Sequence, residues 1–450
     1  MSAPRLGVVL LAAGQGTRMK SSLHKVLHPV CGKAMASHIL DAARELSPDR
    51  IVVVVGHHAE QVRAALGAPE ITFVDQTELL GTGDAVARCK AALEGCERVL
   101  VLNGDEPLLT SATLARLIDA GRGTPMAFVS QRVADAGALG RVRRDGALRV
   151  MSIVQAADDP DSDGKAEINW GEYLFEGSWL WEQLPRVPLS PKGERYLTKL
   201  ADFAFESGTP AVTIAADPVE ALGVDDRVKL AEAERRMRER ILQRHMLAGV
   251  TISDPQTTYI DATVGLATDV TVLPGCHLTG TTVVETGSVI GPGTTLRNAM
   301  IGRESGVRQS VIEDSRIGSD VSVGPFAHVR GGATIGDGCE LGNYAEVKNS
   351  VLGAGVKMHH FSYIGDADVG DYTNVGAGSI TCNYDGVQKH RTTIGKRVFI
   401  GSDSMLIAPV TLGDGASTGA GSVVTKDVAA GDKVVGVPAR AFSPKKPPEG

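Results

Sequence analysis

The stretch Gly14-Gln-Gly-Thr-Arg18 sets two glycines and an arginine directly after the apolar run 6–13, with Lys25 seven residues further on. A Gly-x-Gly-Thr-Arg turn offers backbone N–H groups to a phosphate, and Arg18 and Lys25 add positive charge. It is not the dinucleotide fingerprint, because methionine stands at position 19 where a third glycine would be. Nor does a Gly-Lys-Ser/Thr follow to make a Walker A loop. By residue type alone the loop is either a nucleotide cradle or an ordinary strand-to-helix turn. Asn103-Gly-Asp105 closes another apolar run, 99–102. It reads as a plain turn or as a carboxylate able to serve a hard cation.

Strands must hold such turns in place. Apolar runs at 6–13, 51–55 and 99–102 alternate with helix-like stretches near 34–46, 58–66, 83–93 and 111–120. That alternation indicates an α/β layer with a mainly parallel sheet, whose ligands bind beyond the carboxyl ends of the strands. From about 225 to 247 the chain is rich in Ala, Glu, Arg, Leu and Met and lacks proline. Asp225 or Asp226 could cap this helix and Gly249 would stop it. At 1.5 Å per residue it would run roughly 33 Å, a rigid spacer between two domains. Its charge run at 234–240 reads as a solvated face.

The remainder counts in sixes. Ile317, Val323, Val329, Ile335, Leu341 and Val347 keep a strict beat, which Ile394, Ile400, Leu406, Leu412, Thr418 and Val424 take up again. Helices repeat their apolar residues every three to four positions and half-buried strands every two. A beat of six fits short strands joined by sharp corners, a parallel β-helix of hexapeptide repeats with roughly 18 residues per coil. The repeats start irregularly at Val264, Val270, Ile290 and Ile301 and become regular from Ile317. Their register slips by one residue at Leu352 and at Val369. It breaks at 381–393, a polar segment expected to loop out of the prism and to offer substrate contacts.

Composition agrees with this division. Among 450 residues aromatics make up 4% and glycines number 53, as a narrow, tight-cornered solenoid requires. A formal charge of −7 gives no general attraction to nucleic acid or anionic lipid, so anionic substrates need local cations. Six cysteines without a Cys-x-x-Cys pair indicate a reducing compartment, and no 18-residue apolar run occurs. The expected location is the cytoplasm, with no membrane partner.

Leu11-Ala-Ala-Gly-Gln-Gly-Thr-Arg-Met19, with Lys25-Val-Leu and Gly32-Lys-Ala-Met35, resembles the opening of sugar-1-phosphate nucleotidyltransferases. Joined to a hexapeptide β-helix, the chain resembles the bacterial bifunctional N-acetylglucosamine-1-phosphate uridyltransferase/glucosamine-1-phosphate acetyltransferase family over almost its whole length. The resemblance implies that Leu11, Ala12, Ala13, Gly14, Gly16 and Lys25 hold UTP, with Arg18 and Lys25 assisting the chemistry. It puts Gln76, Gly81 and Thr82 against the uracil, and Asn103, Gly104 and Asp105 at the metal end of the site. Mg²⁺ is expected on Asp105 and Asp225, while Gly140, Gln155 and Asn169 line the sugar. The chain departs from the family pattern at Gln155, where glutamate is usual. It also carries Asp225 for asparagine and Lys199 for aspartate.

For the second half, the resemblance implies acetyl transfer from acetyl-CoA to glucosamine-1-phosphate. Such transfer needs a base for the ammonium proton and donors for the developing oxyanion. Chemistry does not separate the adjacent His359 and His360; alignment on Tyr363-Ile-Gly-Asp366 places the base at His360. Arg330, Lys348, Tyr363 and Asn374 match the sugar-phosphate site, and Ala377, Asn383, Tyr384, Ser402, Ala420 and Arg440 the acetyl-CoA site. The product, UDP-N-acetylglucosamine, feeds bacterial cell-wall and lipopolysaccharide synthesis.

The fold class implied is α/β. A nucleotidyltransferase domain with a Rossmann-like, mainly parallel sheet (1–226) precedes a helical linker (227–249) and a left-handed parallel β-helix (250–440) that assembles as a homotrimer. Residues 441–450, rich in Pro and Lys, are expected to be a disordered tail. Two other readings compete: a nucleotidyltransferase whose β-helix only assembles subunits, and a non-catalytic sugar-nucleotide-binding trimer.

Overall fold

The computed structural model describes residues 4–137, 139–155 and 164–442. Contacts divide the chain into two units, Met1–Met237 and Arg238–Gly450. No helix among the described residues is long and apolar enough to cross a membrane.

The first unit is built on strand β1, Leu6–Ala12. Its neighbours are β2 (Arg50–Val55) and β4 (Arg98–Asn103), both parallel to it. With β3 (Ile71–Asp75), β5 (Met126–Val133), β8 (Ala166–Glu176) and β9 (Val212–Ala215), the order across the sheet is β9-β5-β8-β4-β1-β2-β3. Strand β8 runs antiparallel to both neighbours and carries a side hairpin of β6 (Arg141–Arg144) and β7 (Val150–Val154). Strand β1 reads as continuous apolar sequence because both its faces are covered. Val8 and Leu10 pack with Ile39, Leu40, Leu114 and Leu117 on one side. Val9 packs with Ala85, Val86 and Leu180 on the other.

Helices occupy Met35–Arg44, Ala59–Leu66, Thr82–Arg88 and Ser111–Ala120, four of the expected places. The third is shorter than its sequence suggested, because residues 89–95 close by turns, with Gly95 at φ +79°. The long helix runs Arg227–Leu247 and the division between units falls inside it. Its cap is Asp226, whose Oδ1 accepts from the N–H groups of Val228 and Lys229, both at 2.9 Å. Asp225 is thereby left to other work.

The second unit is a parallel β-helix of three stacks, with 12, 10 and 9 strands. Ile317, Val323, Val329, Ile335, Leu341 and Val347 all point inward and are buried. The slips at Leu352 and Val369 are coils shorter by a single position than the one before them, since Ile317 pairs with Ile335, Ile335 with Leu352 and Leu352 with Val369. The opening coils are more regular than expected. Ile260, Leu266, Val272, Leu278, Val284, Ile290 and Leu296 already keep the six-residue beat. Glycine follows only Ile290 among them, so the beat lacked its usual marker.

The break at 381–393 also differs from expectation. Asp368 pairs with Thr393, further along the chain than a single regular coil reaches, so a loop does project. Thr381, however, remains in the wall as partner of Leu406 and is fully buried. Its hydroxyl accepts from the Gly365 N–H at 2.8 Å and donates to the Gly365 carbonyl at 3.0 Å. A polar residue can face the interior when both its donor and its acceptor capacity are met. Thr418 does the same, accepting from Gly401 N–H at 2.9 Å. Ala441 does not open a tail: it pairs with Val434 in an antiparallel couple, Lys433–Val435 with Arg440–Ala441, that ends the 12-stranded stack. The expected tail from 443 onward lies outside the described residues.

Candidate functional sites in the two units

Leu11 on β1 and Asn103 on β4 are register partners, so the two motifs that follow emerge side by side at the carboxyl edge of the sheet. Close packing there requires glycine. A Cβ on Gly16, at φ +59°, would stand 2.5 Å from Lys25 Cβ, and one on Gly104 would stand 2.7 Å from the Leu11 carbonyl. Between them opens a cleft of about 280 Å³ lined by Leu11, Ala12, Ala13, Gly14, Lys25, Gln76, Gly81, Thr82, Asn103 and Asp105. Leu79 and Glu194 also line it. Gln76 is held by its Nε2, which donates to Gly81 O and Asp84 Oδ2, both at 3.0 Å.

At one end of the cleft Lys25 Nζ bridges two carboxylates, Asp105 Oδ2 and, at 3.1 Å, Asp225 Oδ1. Arg18 reaches the same Asp225 oxygen at 3.0 Å, and Lys229 holds Asp225 Oδ2 at 2.8 Å. Burial pushes the Lys25 ammonium down, but the Asp105 and Asp225 charges outweigh it and leave its pKa above the ordinary value. Burial likewise opposes ionisation of Asp225, and Lys229 and Lys25 overcome it to hold this carboxyl below its usual range. Lys229 was not anticipated. Its only signal was the i,i+4 spacing from Asp225 on the helix.

Beneath Asp105 lie two buried carboxyls, Glu106 and Glu172. Burial, then the charge of Glu172, pushes Glu106 well up, while burial pushes Glu172 up to about 7. Neighbouring carboxylates in so dry a place do not both ionise. Glu106 accepts from Asn103 Nδ2 at 2.9 Å and so orients the asparagine in the cleft wall. No spacing in the sequence pointed to this pair.

Gly140, Gln155 and Asn169 come together, but outside that cleft. Gly140 O accepts from Asn169 N at 2.8 Å, and a Cβ on Gly140 would sit 3.8 Å from Gln155 Nε2. Gln155 lines a separate cavity of about 370 Å³ with Tyr196, Thr198, Lys199 and Asp202. Its amide donates to Thr198 Oγ1 at 3.0 Å, and Lys199 pairs with Asp202 at 2.7 Å.

In the β-helix, Arg330 and Lys348 are register partners on adjacent strands of one stack. The Lys389 ammonium lies against Lys348 and holds its pKa below the ordinary value, with Arg330 adding to the effect. Three cations gathered this way form a seat for a dianionic phosphate. Lys389 was missed because the inserted loop carries no repeat to fix its place. Asn383, expected on the projecting loop, is instead tucked beside Tyr363: its Nδ2 donates to Asp366 Oδ2 and, at 3.5 Å, to Tyr363 OH. Tyr384 is exposed and donates to Gly386 O at 2.7 Å.

His360 leads a column along one corner of the prism. Met358, Val375 and Ile400 are inward register partners, and His360, Ala377 and Ser402 follow each of them by two residues. Ala420 continues the column, for the Gly421 N–H donates to Ser402 O at 2.8 Å. Asn374 stands in the same stack between Lys357 and Phe399, and Arg440 lies opposite Val435 in the closing pair. Of the two histidines, His359 places Nε2 2.7 Å from Glu340 Oε2. His360 faces Asn343 and is free at Nε2 among the described residues.

Residues 8–202 match the MobA-like NTP transferase domain, and 314–349 with 391–426 match the bacterial transferase hexapeptide (six repeats). The chain is 44% identical over 446 residues to a protein of Streptomyces avermitilis called "Bifunctional protein GlmU", covering 97% of this chain and 92% of that one. Proteins of the same name from Brevibacillus brevis and a Geobacillus species are 44% and 45% identical. They cover 94% and 93% of this chain, and 93% of each relative.

Proposed function

The chain belongs to the family of bifunctional GlmU proteins, and on that premise we propose how its residues divide the work. It is a bifunctional transferase. One activity N-acetylates glucosamine-1-phosphate from acetyl-CoA. The other transfers the uridylyl group of UTP to N-acetylglucosamine-1-phosphate, making UDP-N-acetylglucosamine and releasing pyrophosphate. Its substrates are small molecules.

We assign uridylyl transfer to residues 1–226, the linker to 227–249 and acetyl transfer to 250–440. The phosphate oxygen of the sugar attacks the α-phosphorus of UTP, and the bond from that phosphorus to the bridging oxygen breaks. Lys25 and Arg18 neutralise the charge that develops on the phosphates. The backbone of Gly14 and Gly16 approaches the triphosphate closely because neither residue carries a side chain. Gln76, Gly81 and Thr82 border the base, and Gly140, Gln155 and Asn169 the sugar. A divalent cation belongs to this chemistry, and Mg²⁺ is our choice. Asp105 and Asp225 fit it, since two carboxylates already meet at one positive charge and magnesium takes its other ligands from phosphate and water. When bound, it would supply charge neutralisation.

For acetyl transfer, Arg330, Lys348 and Lys389 grip the sugar phosphate, with Tyr363 and Asn374 around the sugar; Asn383, beside Tyr363, borders the acetyl-CoA site. His360 Nε2 takes the ammonium proton, the freed amine attacks the thioester carbonyl, and the C–S bond breaks as the nitrogen's surplus proton passes to the leaving sulfur, so that coenzyme A departs as its thiol. Ala377, Ser402 and Ala420, on the corner above His360, are where acetyl-CoA lies, with Tyr384 and Arg440 at its edges. The working form is a homotrimer of left-handed β-helices. We place it in the cytoplasm, on six cysteines that lack disulfide-like spacing.

The observation that carries this assignment is the meeting of Lys25 with Asp105 and Asp225 at the lip of a cleft that ten of the expected residues line. Asp105→Ala should lose pyrophosphate release from UTP by at least about 100-fold and keep thiol release from acetyl-CoA. His360→Ala should do the reverse. Thiol release that survives the histidine change would end the base assignment, and pyrophosphate release that survives the aspartate change would end the metal assignment.

A further inference from the structure

The backbone around His360 is fixed from several directions. Asn343 and His360 are register partners on adjacent strands, and the Phe361 N–H donates to the Asn343 carbonyl at 3.0 Å. The Ser362 hydroxyl donates to the carbonyls of His360, at 2.8 Å, and Gly376, at 3.0 Å. Gly342, next to Asn343, admits no side chain, because a Cβ there would collide with the His359 backbone. Coil-to-coil contact this tight leaves the two side chains little freedom in their separation.

Across that gap His360 Nδ1 stands 3.1 Å from Asn343 Oδ1. A neutral imidazole carries one proton, and the hydrogen bond at one ring nitrogen decides whether the other offers a lone pair. His359 is bound differently: its Nε2 meets Glu340, whose other oxygen holds Lys357 at 2.9 Å. One histidine of the pair is thus engaged by a carboxylate at the nitrogen farther from its backbone. The other is engaged by a neutral amide at the nearer nitrogen.

We propose that Asn343 is the positioning residue of acetyl transfer: its side-chain carbonyl accepts the Nδ1–H of His360 and thereby holds the tautomer in which Nε2 is unprotonated and able to take the proton of the substrate amine. Histidine free in water favours the opposite tautomer, so the ring needs such a partner. The amide orients the ring without adding a charge beside it. No motif singled out Asn343, which lies a full coil before the histidine in sequence and becomes its neighbour only through the length of that coil. The proposal rests on His360 being the base.

The test uses the full-length protein labelled with ¹⁵N-histidine, with His360 signals identified by their loss in His360→Gln. Asn343→Leu keeps the volume but removes the acceptor, while Asn343→Asp keeps an acceptor in the same place. The wild type and Asn343→Asp should show the proton on Nδ1, and Asn343→Leu should move toward Nε2–H. In Asn343→Leu, kcat for acetyl transfer should fall about tenfold, part of the roughly 10²–10⁴-fold that a general base contributes. KM for both substrates should stay within about twofold, and Asn343→Asp should restore kcat. A wild-type spectrum with the proton on Nε2, or an Asn343→Leu protein with unchanged tautomer and kcat, would overturn the proposal. If the tautomer moves as expected while His360→Ala still acetylates, the tautomer claim is upheld and the base assignment falls.

Discussion

Lys25 satisfies Asp105 and Asp225 together, and it is the group a divalent cation would replace. Removing it leaves Asp105 without its cation, while Arg18 and Lys229 still hold Asp225, so Lys25→Ala should bind Mg²⁺ more tightly than the wild type. The check is thermal denaturation with and without Mg²⁺: the cation should raise Tm more in the variant, because a ligand stabilises the state it binds. Equal shifts would place the metal elsewhere. One residue earlier, His24 caps the turn Lys25–Leu27 by accepting from the Val26 N–H at its Nδ1, at 3.4 Å. Burial, then the nearby His57 and His58, lowers its pKa to about 4. A histidine depressed when folded takes up protons first in the unfolded chain. Its contribution is therefore complete above about pH 6.5 and lost as pH falls toward 4, at up to about 1.4 kcal/mol per pH unit. Trp170, Trp179 and Trp181 are the only tryptophans and all lie in the first unit, so urea unfolding followed by their fluorescence reads this unit alone. His24→Asn should flatten the decline between pH 6.5 and 4; an unchanged slope would remove His24 as its cause.

Among the elements, the wall of the β-helix tests what a polar residue may do inside a prism. Thr381→Val keeps shape and volume but leaves the Gly365 N–H without its partner. That should cost about 1–3 kcal/mol, read as a lower Tm of the far-ultraviolet circular-dichroism transition that tryptophan fluorescence does not report. No loss would mean the hydroxyl is incidental. Thr381 also shows where reading a sequence by pattern reaches its limit. Residue type argued that it must leave the interior, and only a carbonyl and an N–H from the previous coil make it welcome. The beat at 260–296 escaped notice for a related reason: it lacks the glycine that marks sharp corners elsewhere, although its aliphatic spacing is strict. Strands β1, β2 and β4 were plain because burial on both faces leaves unbroken apolar runs. The reversed strand β8 was not, since direction follows from packing rather than composition. Lys25 and Asp105 came with their motifs, whereas Lys229, Lys389 and Asn343 reach their sites through a helix turn, an insertion and a coil length.

At the scale of the molecule, a homotrimer should sediment at three times the 47.1 kDa mass of the chain; a single-chain mass at working concentration would refute that assembly. The β-helix itself carries a hazard that its closing couple answers. Parallel strands paired coil on coil leave a row of unused N–H and C=O groups at each open end of the solenoid, a template on which another chain can grow. In the 12-stranded stack, Arg440–Ala441 folds back antiparallel on Lys433–Val435 and occupies that row. The short segment 436–442 covers that row in this stack, so its removal should raise self-association in concentrated solution, read by light scattering; unchanged scattering would show that the row needs no cover.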